Sequence, residues 1–462
     1  MKKLIQYFLL VPILLLSILF LAGCKKLDNV KNAAAKPEVT IKDSRNKIIH
    51  LYNDTVYVVE DIFKREAGEQ LIIDAGTLIK IIPGLNSTNL GIIIEPGATI
   101  LANGNSKNPI VFTANAATGT QYTNWYGLTI KGKASNNDNN VTGDTSDNSG
   151  YLKYVRIEFA ALKLDAVGSG TIIENVMVSY TNALDQYTKP LAAFSFLGGS
   201  CNAKNLISYA CGSAADFYIT NGYNGKMQNI FAIRHPFFGA VDSDPLNALA
   251  GVFIENNVNN PVDAKPITNP IISNLTVIGP NAQNGSAPDY SNSNINSAAL
   301  ITSRNASFHI ANSLLMGFSG GGWSLGDSLT GDNILLQQAT ITNTIFHCTD
   351  TAKTFYLSPG IFTNLNSGNF KNFMLQPVFK NQLFATITDF KFIDPFNYEK
   401  LNPFPNNNSP VLKGASFTEP FFKDNFFDKV NYVGAFGNDN WGQGWVNTTP
   451  LKTDYNFPKF GE

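Results

Sequence analysis

Charge is scarce in this chain of 462 residues. Asp, Glu, Lys and Arg make up 15% of it, well below the quarter or so usual for soluble domains. The formal net charge is −1, and −3 once Lys2 and Lys3 are subtracted. A balance so near neutral leaves no electrostatic footprint for nucleic acid, which is excluded as a partner. Cysteine is scarcer still, at four residues. With Cys24 assigned to the N-terminal signal described below, Cys201, Cys211 and Cys348 remain, and an odd number excludes a fold built on a complete disulfide framework. Cys201 and Cys211 bracket the run NAKNLISYA; as a strand, that run holds its ends too far apart for a disulfide. All three cysteines read as small buried apolar residues. The four histidines, His50, His235, His309 and His347, are isolated, and no Cys/His spacing matches a zinc site. Neither a metal nor a cofactor is expected. Helical periodicity sustained over a dozen residues is missing too, which argues against a parallel sheet with crossover helices.

The longest apolar run sits at the N-terminus. Lys2 and Lys3 precede residues 8 to 22, almost wholly apolar, and Leu21-Ala22-Gly23-Cys24 follows. Such a segment reads as a secretory signal, the alternative being a retained membrane anchor of about 20 residues. Leu-Ala-Gly-Cys is the pattern of a bacterial lipoprotein signal, which makes Cys24 the lipidation site and residues 1–23 the removed peptide. Residues 24–50, rich in Lys, Asp, Asn and Ala, read as a flexible tether.

What the rest of the chain has in abundance is short apolar runs rich in Ile, Val, Leu, Phe and Thr, separated by clusters of Gly, Asn, Asp and Ser. Examples are YGLTIKG, LKYVRIEFA, TIIENVMVSY, KMQNIFAIR and IISNLTVIG, and this is the strand signal. An Asn immediately precedes the strand-like run at Asn175, Asn205, Asn229, Asn274, Asn312 and Asn343, and Tyr154 takes the same place in KYVRI. A repeat of just over 20 residues, lengthened by insertions, is the mark of a solenoid. In a parallel β-helix each coil has three short strands and three turns. An Asn at one fixed turn takes the left-handed conformation there and bonds to the Asn of the next coil.

Strand side chains alternate faces. In this register Val155, Ile157, Val176, Val178, Leu206, Ile230, Leu275 and Val277 point into the coil, and Arg156, Met177, Ile207, Phe231 and Thr276 point out. The outward row is more apolar than a solvated face, so either inserted loops cover it or it is a partner surface. Insertions are placed at residues 133–150 and 279–298. The β-helix is assigned to residues 51–361, with residues 30–68 covering its first coil. Residues 362–462, rich in aromatics such as Phe421, Phe422, Phe426, Phe427, Trp441 and Trp445, form end coils and a cap. LIIDAGTLIK at 71–80 and IIIEPGATIL at 92–101 read as one strand, turn and strand on two successive coils, which would stack Gly76 under Gly97 and Asp74 near Glu95 at an exposed corner.

In order along residues 70–450, the phrases GTLIK, GATILANG, NPIVFTA, WYGLTIKGKA, LKYVRIEFA, FSFLGGSCNAKNLIS, DFYITNGYNGKMQN and NYVGAFGNDNWGQGW resemble a family of Bacteroidetes outer-membrane lipoproteins. The resemblance implies an all-β, right-handed parallel β-helix of the pectate-lyase-like class, lipid-anchored at the outer membrane and exposed at the cell surface. The family's paired acids are reduced here to Asp185 in NALDQYT and Asp216 in AADF, which puts any calcium or catalytic role in doubt.

Fold does not fix function. A polysaccharide lyase or glycoside hydrolase would draw on Glu158, Asp185 and Asp216 as acids and on Lys153, Arg156, Lys226 and Arg234 as cations, with Asp185, Asp216 and Lys226 the catalytic candidates. Arg156 and Glu158, two apart on a strand, share a face and are expected to pair with each other. Asp242 and Asp244 read as turn residues rather than the two carboxylates of a hydrolase. Ser319 and Ser324 stand in G-x-S-x-G strings, but GDSLTGDN should break the helix that a nucleophile elbow requires. A binding role needs less. Tyr122, Trp125, Tyr126, Tyr218 and Tyr223 on coil edges are candidates to stack on sugar rings, with Glu158 and Arg234 as polar contacts. The sequence therefore favours a non-enzymatic module that binds a glycan or an outer-membrane barrel protein.

Overall fold

The computed structural model describes residues 36–455 apart from 45, 83–90, 115–124, 139–142, 182–191, 237, 239–248, 281–296 and 358–365. The described strands between Glu38 and Leu383 form a parallel β-helix. One face is a ten-stranded parallel sheet, and a seventeen-stranded parallel sheet makes the other two. The strand Gly150–Glu158 shows how one sheet covers two faces. Its first half pairs with Thr99–Asn103 and its second half with Ile110–Ala114, and the bend between them is Tyr154 at φ 51°.

The same corner recurs at every expected position. Asn175, Asn205, Asn229, Asn274, Asn312 and Asn343 all have φ between 47° and 58°, a region Asn tolerates better than other side chains. Successive coils stack in the predicted register, Val155 on Val176, Val176 on Leu206, Leu206 on Ile230 and Ile230 on Leu275. All of these inward residues are at most 2% exposed. Full burial of such a side chain stabilises by roughly 1.5–3 kcal/mol, so the stacked apolar column dominates the energetics. The expected side-chain ladder forms where Asn229 Nδ2 donates to Asn205 Oδ1 at 2.9 Å. At Asn274 and Asn312 the amides turn instead to the C-terminal segment.

The repeated phrase has a different meaning from the one expected. Leu71-Ile72-Ile73 pairs with Ile100-Leu101-Ala102, an offset of 29 residues rather than 21. Gly76 lies at the corner between the strands Gln70–Ile73 and Leu78–Ile81, and Gly97 at the preceding corner of the next coil, between Gly91–Ile94 and Thr99–Asn103. Gly97 stacks on Gly68, whose amide donates to its carbonyl at 2.9 Å. Asp74 faces His50 at 2.8 Å and Glu95 faces Lys131 at 3.0 Å, so the two acids do not meet. Both corners need a positive-φ residue flanked by strands, and so both use the same run of residue types.

Pairing begins before the expected boundary at residue 51. Glu38–Ile41 and Ile48–Leu51 are already rungs of the solenoid, and residues 37–65 supply its first coils rather than a separate cover. The buried Arg65 closes that end by donating to the carbonyls of Ser44 and Asn46 and pairing with Glu69 at 3.0 Å. At the other end the helix Ser367–Met374, capped by Asn366, drives Phe370 against Trp323 and Phe355, with centroids at 4.9 and 5.8 Å.

The aromatic-rich C-terminal segment supplies one more rung, Gln382–Leu383 on Ile345–Cys348, and then returns along the solenoid. Ala435 N donates to Thr276 Oγ1 at 2.8 Å, Phe436 packs on Phe231 at 5.3 Å and Trp445 on Tyr154 at 5.9 Å. Tyr209 Oη donates to Asn397 O, and Tyr180 Oη to Thr448 O. This strap covers the outward row at Phe231 and Thr276. Met177, Ile207, Phe231 and Thr276 are at most 2% exposed.

Candidate functional site

The sequence candidates are placed as follows. Arg156 and Glu158 pair with each other as expected, Nε to Oε1 at 3.9 Å, both buried. Trp125 is also buried and donates its indole N–H to Glu158 O at 2.9 Å. Tyr223 lies inside the coil, its hydroxyl donating to Cys201 O at 2.7 Å, and packs 5.1 Å from Phe196. It is a core residue, not a ligand platform. Asp216 and Arg234 form a fully buried ion pair at 2.9 Å, with Ser208 Oγ donating to Asp216 Oδ1 at 2.6 Å and Arg234 also donating to Ala250 O and Ser213 O. Burial raises the Asp216 carboxyl above its usual range, opposed by Arg234 and Ser208. Lys226 is held by Asp424 of the strap at 2.5 Å. Tyr126 is 36% exposed, and Tyr218 and Lys153 are partly exposed. Cys24, Asp185, Tyr122, Asp242 and Asp244 lie outside the described residues. The described candidates do not assemble into one groove, because most of them are spent on folding.

The serine motifs are also resolved. A helix does follow, Ser328–Leu335, with Asp327 as N-cap accepting from Thr330 N, so GDSLTGDN begins a helix rather than breaking one. Ser324 nevertheless sits within the strand Gly321–Leu325, 1% exposed, with no elbow to present it.

The outer face of the ten-stranded sheet is partly open, at Lys163, Ser195, Tyr218 and Phe253. Inward Leu162, Phe194, Phe217, Val252 and Leu300 alternate with an outward row of Thr129, Lys163, Ser195, Tyr218, Phe253 and Ile301. The early coils carry charge there, with Lys131 on Glu95 at 3.0 Å and Lys163 near Asp165 at 3.9 Å. The middle coils carry an aromatic pair: Tyr218 and Phe253, both partly exposed, lie 5.6 Å apart over a bed of Ala192, Ala215, Ala250, Ala298 and Ile301. Small residues beneath the rings let them lie against the sheet.

A polar cluster fixes one side of this platform. Glu255, 1% exposed, accepts from Tyr218 Oη on Oε1, and from Arg304 Nη1 and Ser303 Oγ on Oε2. Burial and the Glu255 charge push the Tyr218 phenol far up, so it stays protonated and is no base at neutral pH. Glu255, with both oxygens engaged and little access to solvent, is a positioning group. The Arg304 side chain is 41% exposed and presents donors at the rim. Its backbone N–H donates to Asp327, the cap of the helix Ser328–Leu335, which anchors the arginine.

Tyr218 is legible in the sequence; Phe253, Glu255 and Arg304 are not. Glu255 and Arg304 stand 49 residues apart, and an insertion in the intervening coil hides the register that joins them. Among the described residues no three His, Cys, Asp or Glu side chains converge to hold a metal ion. The arrangement suits a neutral or anionic planar ligand lying on rings beside a guanidinium, and among the described residues no carboxylate pair stands beside it as hydrolysis would need.

Searches of the curated proteins and of the solved structures found no match. A family model does match, over residues 43–372, which takes in all of the ten-stranded sheet and the corner asparagines. The chain belongs to the pectate-lyase-like β-helix domain family.

Proposed function

We propose that this protein is a lipid-anchored lipoprotein of the outer membrane of the Bacteroidetes type that binds a glycan on the outer face of its ten-stranded sheet without cleaving it. The observation that carries the binding site is the half-open Tyr218–Phe253 pair, edged by Arg304. Against catalysis stand the states of the acids and cations: Glu255, Asp216 and Glu158 are buried, and Lys226 is paired with Asp424. The anchor rests on Leu21-Ala22-Gly23-Cys24. Docking on a membrane barrel loses its sequence argument, since the strap already occupies the apolar row.

The test is a glycan array and affinity electrophoresis with the mature chain lacking its lipidated Cys24, residues 25–462, beside Y218A/F253A. Aromatic stacking and burial of this size make the double variant at least tenfold weaker on the glycan retained, with an unchanged far-UV spectrum. Full retention by the double variant would move the site elsewhere. Release of unsaturated or reducing products from any retained glycan would show a lyase or hydrolase instead.

A further inference from the structure

Three cavities lie in series between the last coils and the strap. The first, of about 380 Å³, is lined by Thr340, Thr342, Asn343, Lys380, Glu419 and Phe421 among others. The second, of about 360 Å³, shares Asn343 and Lys380 with it and adds Lys413 and Pro410. The third, of about 480 Å³, shares Lys413 and Pro410 with the second and adds Lys391. The shared residues make one continuous groove.

Its charge is one-sided. Lys380, Lys391 and Lys413 are all exposed, and none has an ion pair among the described residues, unlike Lys204 and Lys226 on the coils, which pair with Asp428 and Asp424 of the strap. Glu419 is the single acid in the lining. Lys380 and Lys391 themselves take the left-handed conformation, with φ of 56° and 51°. Thr342 adds an independent sign: its residue is 5% exposed, its Oγ1 has no hydrogen-bond partner, and it lines the first cavity. A buried hydroxyl left unmatched costs about 1–3 kcal/mol, and a ligand oxygen in the groove would relieve it.

We infer that this groove is a second binding site, for a linear polyanionic glycan whose carboxylate or sulfate groups meet Lys380, Lys413 and Lys391 in turn. Hydroxyl and amide groups between the lysines (Thr340, Thr342 and Asn343) suit a sugar backbone better than a bare phosphate chain, and the near-neutral chain offers nucleic acid no wider field. The site lies against the seventeen-stranded sheet and does not depend on the Tyr218 platform.

The experiment compares dextran sulfate with neutral dextran, polygalacturonate and a single-stranded oligonucleotide, by titration calorimetry with the mature chain at low and physiological salt. Dextran sulfate or polygalacturonate binds, dextran does not, and affinity falls as salt rises. K380Q/K391Q/K413Q, three surface changes that spare the core, weakens that binding at least tenfold, while Y218A/F253A leaves it intact. Failure of both polyanions to bind, or equal binding by the triple lysine variant, overturns the inference. Tighter binding of the oligonucleotide than of either glycan overturns the assignment to a glycan.

Discussion

The side-chain amide of Asn312 pairs with both backbone groups of Ser416, accepting from its N–H at 2.7 Å and donating to its C=O at 3.0 Å. One corner residue thus imitates a strand and ties the strap to the coil 104 residues earlier in the chain. The amide also donates to Ser273 Oγ at 3.1 Å, and the Asn312 carbonyl accepts from Gly434 N at 2.7 Å.

Replacing Asn312 separates its two duties. N312A loses the side-chain bonds and keeps φ at 55° with a methyl group, at a cost of about 1–2 kcal/mol for the backbone and about 1–3 kcal/mol for the polar groups left behind. N312G avoids the backbone cost and bears only the second. Thermal melts are expected to rank wild type above N312G and N312G above N312A; equal melting points for the two variants would mean that the left-handed corner carries no strain.

Removing the strap should expose what it covers. A chain ending after Leu383 keeps the final rung but uncovers Met177, Ile207 and Phe231, all now at most 1% exposed. An apolar strip of that kind leads to association. Dye binding to apolar surface should rise severalfold and the chain should sediment as oligomers, whereas a monodisperse truncated chain would show the strap to be dispensable.

Acid should weaken the fold through two histidines. Burial lowers His235 and His309 to about 4, from an ordinary value of 6.5. Between those limits the unfolded chain binds protons that the folded chain refuses. Stability is therefore full above pH 6.5 and declines as pH falls toward 4. His309 stacks on Phe421 at 3.5 Å and meets Thr340 through Nδ1 at 2.9 Å. H309N removes its share, so the difference in melting point between pH 7 and pH 5 should shrink by a few degrees relative to wild type. An unchanged difference would assign the acid sensitivity to other groups.

The sequence by itself determined the solenoid and its phase. One Asn per coil, set before an alternating strand, identified the left-handed corner, the inward column and the coil register, because a solenoid repeats its local rules in every coil. It also paired Arg156 with Glu158 and left Cys201, Cys211 and Cys348 free and buried, as they are. The same local grammar misled at Gly76 and Gly97, where two different corners are written alike. Tertiary structure alone decided what covers each face. The strap meets its coils across separations such as 104 residues for Asn312 and Ser416, and 200 for Gln228 and Asp428, and no local pattern encodes those contacts. It decided in turn which polar groups are spent. Asp216, Arg234, Tyr223 and Lys226 look chemically available along the chain but are buried or paired in the fold. Tyr218, Phe253 and Arg304 come together only when three coils stack in register.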